Sequence, residues 1–306
     1  RAASSALRVP RLADQPPSMP PGADGSARAW PSLSVIVAAC NEEGTLEAAT
    51  RSLLASDYPD LEIVLVNDRS TDGTGAVVDR IAAADPRVRA LHLTELPADW
   101  LGKVHALHRG TEVSRGELLL YTDADVVFAP DALRRAVGWL EREQLDHLTL
   151  MPKMIARSHW LGAVSAAFAT GFLMGIDVNA IGRPGSRAYG GVGAFGMLRR
   201  SILARSPGWP WLRMEIADDT GLAMMIVREA GGHSRLGSGT QLVALEWYES
   251  IAALVRGLEK NLYAVIGHFS PGRALAAVVG MTLIAISGWA ALGMGLAPGA
   301  GAGAWR

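Results

Sequence analysis

Three short polar clusters each follow an apolar run: Asn41-Glu42-Glu43, the stretch Asn67-Asp68-Arg69-Ser70-Thr71-Asp72, and Asp123-Ala124-Asp125. An acidic pair, Asp218-Asp219, opens a helical pattern much further along the chain. Asp and Asn after a strand are ordinarily turn formers or helix caps, so any one cluster alone says little. Three acidic clusters on one rim are different, because like charges repel unless a cation or ligand compensates them. Asp123 and Asp125, one residue apart, suit a hard divalent ion such as Mg2+ or Mn2+. Such an ion takes oxygen ligands and needs few from the protein when phosphates supply the rest. Its chemistry there is that of a Lewis acid, neutralising charge on a leaving diphosphate. The plain structural alternative is a pair of strand-end caps.

The elements that must position these groups follow from hydrophobic patterning. Leu33–Ala39 is a continuous apolar run, as expected for a strand buried on both faces of a parallel sheet. A helix follows, with Leu46, Ala49, Leu53 and Leu54 on one face. The pattern then predicts strand Glu62–Val66, a helix near Gly75–Ala84, strand Val88–Leu93, a helix near Lys103–Val113 and strand Leu118–Tyr121. Pro130 sits at a natural helix start ahead of Leu133, Val137 and Leu140. Such alternation implies an open α/β sheet with helices on both faces, whose ligands bind beyond the carboxyl ends of the strands. All three polar clusters fall there. His105 and His108 share the helix that starts near Lys103, but no third ligand has suitable spacing, so they read as packing or surface residues. The stretch Trp160–Ile176 is uncharged and glycine-interrupted, and reads either as a buried helix or as one lying at a membrane interface.

In that order, SVIVAACNEE, VNDRSTDGT, LGKVHALHRG and YTDADV resemble the family-2 glycosyltransferases of GT-A fold, over roughly residues 31–259. The resemblance implies a mixed, mostly parallel sheet and an inverting transfer from a UDP- or GDP-sugar. By position, Asn41, Glu42 and Asp68 would line the nucleoside pocket, and Lys103 would lie near the ribose and diphosphate. Asp123 would face ribose and metal, with Asp125 as the direct metal ligand. Asp219 matches the family's catalytic base and Asp218 stands beside it, where a glutamate is common. The base takes the acceptor proton as the hydroxyl attacks the anomeric carbon. Helix capping is the bland alternative for that pair, and Glu215 ranks behind Asp219 as base. The glycine-rich Tyr189–Leu198 also resembles a family segment in which backbone approaches donor or acceptor. One departure matters: Gln241 is followed by LVALEW, with no arginine before Trp247, unlike the processive polysaccharide synthases. One sugar per acceptor is therefore expected. LPADWLGKVHALHRG and VRGLEKNLYA are similar to lipid-modifying members, including ceramide, carotenoid and hopanoid-associated enzymes.

Composition frames this reading. Of 306 residues, 49% are hydrophobic and the formal net charge is −1, which gives no reason to expect nucleic-acid binding. The single cysteine, Cys40, excludes an internal disulfide and fits a reducing cytoplasm. Residues 1–31, rich in Pro, Ser and Ala, read as a disordered leader, and 32–249 as the catalytic domain. Residues 250–272 read as an amphipathic interfacial helix and linker, and 273–306 as a transmembrane segment with a truncated tail. Ala274–Pro298 carries no charge and is long enough for a bilayer core of roughly 30 Å. Arg256, Lys260 and Arg273 precede it, which puts the catalytic part on the cytoplasmic side of the cell (inner) membrane. The acceptor is then a membrane lipid. The competing readings are a polyprenyl-phosphate or polysaccharide glycosyltransferase, and a non-catalytic membrane partner that keeps the nucleotide fold.

Overall fold

The computed structural model describes residues 9–183 and 185–261, with 270–272, 275 and 279. The chain separates into Arg1–Glu249 and Ser250–Arg306. In the first unit, β1 (Leu33–Ala39), β2 (Leu61–Asp68), β3 (Val88–Leu93) and β4 (Leu118–Asp123) alternate with α1 (Leu46–Leu54), α2 (Thr74–Ala84) and α3 (Gly102–Val113). Next come β5 (Val127–Phe128), α4 (Ala132–Arg142), β6 (His147–Met151), β7 (Lys153–Ile155) and α5 (His159–Gly175). The order closes with β8 (Gly196–Arg199), α6 (Arg200–Arg205), α7 (Asp218–Met224), β9 (Ser234–Ser238) and β10 (Val243–Glu246). The second unit contributes α8 (Ile251–Asn261).

Seven strands form the main sheet in the order β3-β2-β1-β4-β8-β6-β9. Only β8 runs antiparallel to its neighbours, β4 and β6, so the sheet is mixed and mostly parallel, as expected. A small sheet of order β5-β10-β7 lies apart from it. Strand alternation divides the core. Val35 and Val37 of β1 pack with Leu46, Leu53, Val78 and Leu133 of α1, α2 and α4. Ile36, between them, packs on the other face with Val104 and Leu107 of α3 and Leu222 of α7. Both faces are thereby covered, which is why the central strands carry unbroken apolar runs. The carboxyl ends of the parallel strands β1, β2, β3 and β4 emerge on one edge.

Two expectations about the ends need restating. From Val9 on, the leader is not disordered. Leu12 is fully buried, and Ser238 N–H donates to Pro10 O. Arg135 donates to Ala13 O and Gln15 O, and Arg142 to Ser18 O, while Arg28 pairs with buried Glu141 at 3.1 Å. Arginines bonding backbone carbonyls hold a segment whose composition lacks an apolar pattern. At the other end, Ala274–Pro298 lies almost wholly outside the described residues. Among the described residues no helix is long and apolar enough to cross a membrane. Within the stretch 250–272 expected to hold an amphipathic helix, Ile251–Asn261 is helical as α8.

Candidate active site

The first strand end and the β2–α2 loop close on each other. Asn41, in the left-handed region at φ 60°, uses its side-chain oxygen to accept from Thr71 N–H at 2.8 Å. Glu43 accepts from Gly73 N–H, Asp72 from Thr74 N–H and Oγ1, and Glu42 N–H donates to Thr74 Oγ1 at 2.7 Å. Here capping explains most of the polar residues. Glu42 keeps its carboxylate toward Asp125, whose pKa it helps to raise.

Asp68 ends β2 and is 3% exposed. Arg69 follows at φ 53° and folds back to donate twice to that carboxylate, Nε at 2.7 Å and Nη2 at 3.0 Å. A Cβ at Gly102 would lie 2.5 Å from Arg69 Nη2 and 2.7 Å from Asp68 Oδ2, so a larger residue at the start of α3 would displace the Asp68–Arg69 pair.

Lys103, in the first turn of α3, is the hub. Its Nζ lies 2.7 Å from Asp123 Oδ1 and 3.4 Å from Asp218 Oδ2. Partial burial works against the ammonium, but Asp123, Asp218 and Asp219 outweigh it and hold its pKa above the ordinary value. Asp218 is pushed up by burial, opposed by Lys103. Asp219 shares the cleft, and no described cation pairs with it. Asp125 is half-buried, likewise without a described cation, and burial, then Asp123 and Glu42, raise its pKa to about 6. Among the described residues no group of three His, Cys, Asp or Glu can hold a metal unaided. The donor set nevertheless fits a divalent ion completed by phosphates: two carboxylates on one turn, one of them short of a counter-charge. Asp125 and Asp123 would hold it.

The opposite wall is the glycine loop ahead of β8. Thr122 Oγ1 donates to Ala194 O and Thr149 Oγ1 to Phe195 O, which fixes the loop on the sheet. A Cβ at Gly193 would come within 2.8 Å of Asp123 Oδ2, and one at Gly191 within 2.0 Å of Asp219 O. Arg228 stacks over Tyr189 at 4.6 Å and braces the start of the loop. Lys103, Asp123, Gly193, Asp218 and Asp219 line the cleft. Beneath it Trp209 Nε1 donates to Thr111 Oγ1 and Tyr121 OH at 3.1 and 3.3 Å, locking α3 to β4. Glu215, the second candidate base, accepts from Ala217 N–H at 3.3 Å and packs under Gly221, so it serves the turn.

Sequence reasoning missed Arg69, Thr74 and His147. Arg69 sat inside a recognised cluster, and its neighbour Asp68 was the available signal. Nothing in the sequence marks His147, a buried lining residue bonded to Ser234 at 2.8 Å. His105 and His108 are packing residues, as expected. His108 stacks on Trp100 at 5.0 Å and His105 meets the same ring edge-on.

Residues 34–205 match the model of Glycosyl transferase family 2. An uncharacterized glycosyltransferase of Haemophilus influenzae is 31% identical over 40% of this chain and 36% of its own length. A beta-monoglucosyldiacylglycerol synthase of Nostoc sp. is 29% identical over 38% of this chain and 25% of its own. The aligned stretch thus spans about a third or less of these relatives. A mannosyltransferase from Pyrobaculum calidifontis, solved with GDP-Man and Mn2+, superposes with a TM-score of 0.58, at 22% identity, over 88% of this chain and 68% of that one. Glucosyl-3-phosphoglycerate synthase from Mycobacterium tuberculosis, solved with Mn2+, UDP and phosphoglyceric acid, gives 0.53 at 21%, over 85% and 86%. At such identity these likenesses speak for the fold, which is GT-A.

Proposed function

This chain belongs to glycosyl transferase family 2, and we propose that it moves one sugar from a UDP- or GDP-sugar to a hydroxyl of a membrane lipid, with inversion. The observation that carries this reading is the division of labour within the acidic pair. Asp218 is engaged by Lys103, while Asp219 faces the same cleft free of any described cation. A carboxylate not held by a cation is the one able to accept a proton. Asp219 takes it from the acceptor hydroxyl, whose oxygen bonds to the anomeric carbon as the bond from that carbon to the diphosphate oxygen breaks. The nucleoside diphosphate leaves. Lys103, fixed between Asp123 and Asp218, meets the diphosphate charge, and Asp68, Asn41 and Glu42 frame the nucleoside. Asp125 and Asp123 would hold a divalent Mg2+ or Mn2+ ion, which would supply charge neutralisation at the leaving group.

The lipid acceptor is supported by the diacylglycerol-glucosylating relatives and by the uncharged outer face of α5. The absence of an arginine before Trp247 favours a single transfer. That tryptophan instead packs with Phe168 at 4.9 Å. We place the domain on the cytoplasmic face of the cell membrane, because Arg256, Lys260 and Arg273 precede the apolar Ala274–Pro298. The test is nucleoside-diphosphate release from UDP-glucose, UDP-N-acetylglucosamine, UDP-galactose and GDP-mannose with diacylglycerol or polyprenyl phosphate in mixed micelles. Release dependent on a lipid hydroxyl supports the proposal. Release with polyprenyl phosphate alone moves the acceptor to that class, and no release with any donor removes the catalytic reading.

A further inference from the structure

A helix lying on a globular surface normally turns charged residues outward. α5 does not. Its inward stripe is Leu161, Ser165, Phe168 and Phe172, while Trp160, Ala163, Val164, Ala167 and Gly171 face out. Trp160 is 71% exposed and Val164 38%, and Ile155, just ahead of the helix, is 49% exposed. None of the seventeen helical residues is acidic or carries Lys or Arg. Along the chain, the residues next to this helix are one-sided in charge as well. No acidic residue occurs between Asp146 and Asp177, whereas Lys153 and His159 stand exposed at the N-terminal end of the helix. Arg157 beside them is paired with Glu246.

A solvated surface gains nothing from an exposed tryptophan on an uncharged helix, and a contiguous apolar face of this kind marks an interaction site. Two features select a bilayer as occupant. Tryptophan with small apolar residues on a helix free of carboxylates, with Lys153 and His159 exposed beside it and Arg157 paired to Glu246 and Glu249, suits the headgroup layer above acyl chains. The chain also carries Ala274–Pro298, uncharged and long enough to span, which keeps the protein at that surface. The location serves the site, since the chain leaving α5 becomes the glycine loop that walls Asp123 and Asp219.

We propose that the outward face of α5, anchored by Trp160, rests in the interfacial layer of an anionic bilayer and brings the acceptor side of the cleft to its lipid. This rests on the membrane-lipid reading above. The test uses the full chain in a Cys40→Ser background with Val164→Cys carrying an environment-sensitive dye, and Asp79→Cys on α2 as reference. Each is reconstituted in phosphatidylcholine–phosphatidylglycerol vesicles containing lipids spin-labelled near the headgroup. Val164 should be quenched at least threefold more than Asp79, with Trp160→Asp removing most of the difference. Equal quenching at the two positions overturns the proposal. So does a Val164 dye inaccessible both to lipid spin labels and to aqueous iodide, because the face is then covered by protein. Transfer assays on the same vesicles separate the two claims: quenching without transfer to lipid sinks the acceptor reading alone, and transfer without quenching sinks only this docking.

Discussion

At the end of β1, Asn41, Glu43, Asp72 and Thr74 hydrogen-bond one another through backbone amides and a hydroxyl. Along the same rim, Asp123 and Asp218 share a single ammonium, Lys103, and Asp125 and Asp219 form no ion pair among the described residues. Both clusters are built from short polar side chains following apolar strands. They differ in whether the fold closes their hydrogen-bond and charge requirements. Where it does, the residues make a rigid loop. Where it does not, the deficit is stability held back for a ligand, since uncompensated carboxylates raise the free energy of the empty protein.

The contrast can be broken most severely at Asp219. Asp219→Asn should lower transfer by about a thousandfold, as expected for loss of a general base, and leave donor binding within about twofold by calorimetry. Near-normal transfer would return the pair to helix capping. Asp125→Ala comes next. It should weaken Mn2+-dependent donor binding by about a hundredfold, since a carboxylate ligand is lost. It should also raise the metal-free Tm by about 2–5 °C, because a half-buried charge repelled by Asp123 and Glu42 is gone. A lowered Tm would mean that Asp125 is satisfied after all.

Beneath the cleft, His147 gives a pH test. Burial depresses its pKa to about 4, against about 6.5 in the unfolded chain. As pH falls through 6.5 the unfolded state binds the proton first, so stability declines between pH 6.5 and 4 and the effect is absent above 6.5. The full loss is roughly 3 kcal/mol. His147→Gln should flatten that limb in denaturant titrations; an unchanged limb assigns the acid sensitivity elsewhere. The smallest effect belongs to the closed cluster. Asp72→Ala should cost about 1 kcal/mol of stability, the usual worth of such a loop hydrogen bond, and change donor affinity less than threefold. A large loss of affinity there would erase the distinction between the two clusters.

The sequence revealed β1, β2 and β4 because burial on both faces writes itself as unbroken apolar runs, and β1 and the edge strand β3 have the boundaries predicted for them. It revealed where the acidic clusters gather for the same reason. It did not reveal β8, four residues inserted antiparallel between β4 and β6, because so short a strand leaves no periodicity. The leader was misread because arginines of α4 hold it through backbone carbonyls, which any sequence supplies. The Lys103–Asp218 pairing was hidden because those residues meet only through the tertiary fold. Burial of Leu161 and exposure of Trp160 on one helix could not be assigned from an apolar stretch with several glycines.

Calorimetric titration of the purified protein with GDP-mannose and the three UDP-sugars, with and without Mn2+, tests the central claim most directly. The account predicts that one donor binds only when the metal is present, and that Asp125→Ala weakens that binding by about a hundredfold while the protein stays folded. Binding of none of the four by a well-folded sample would contradict it.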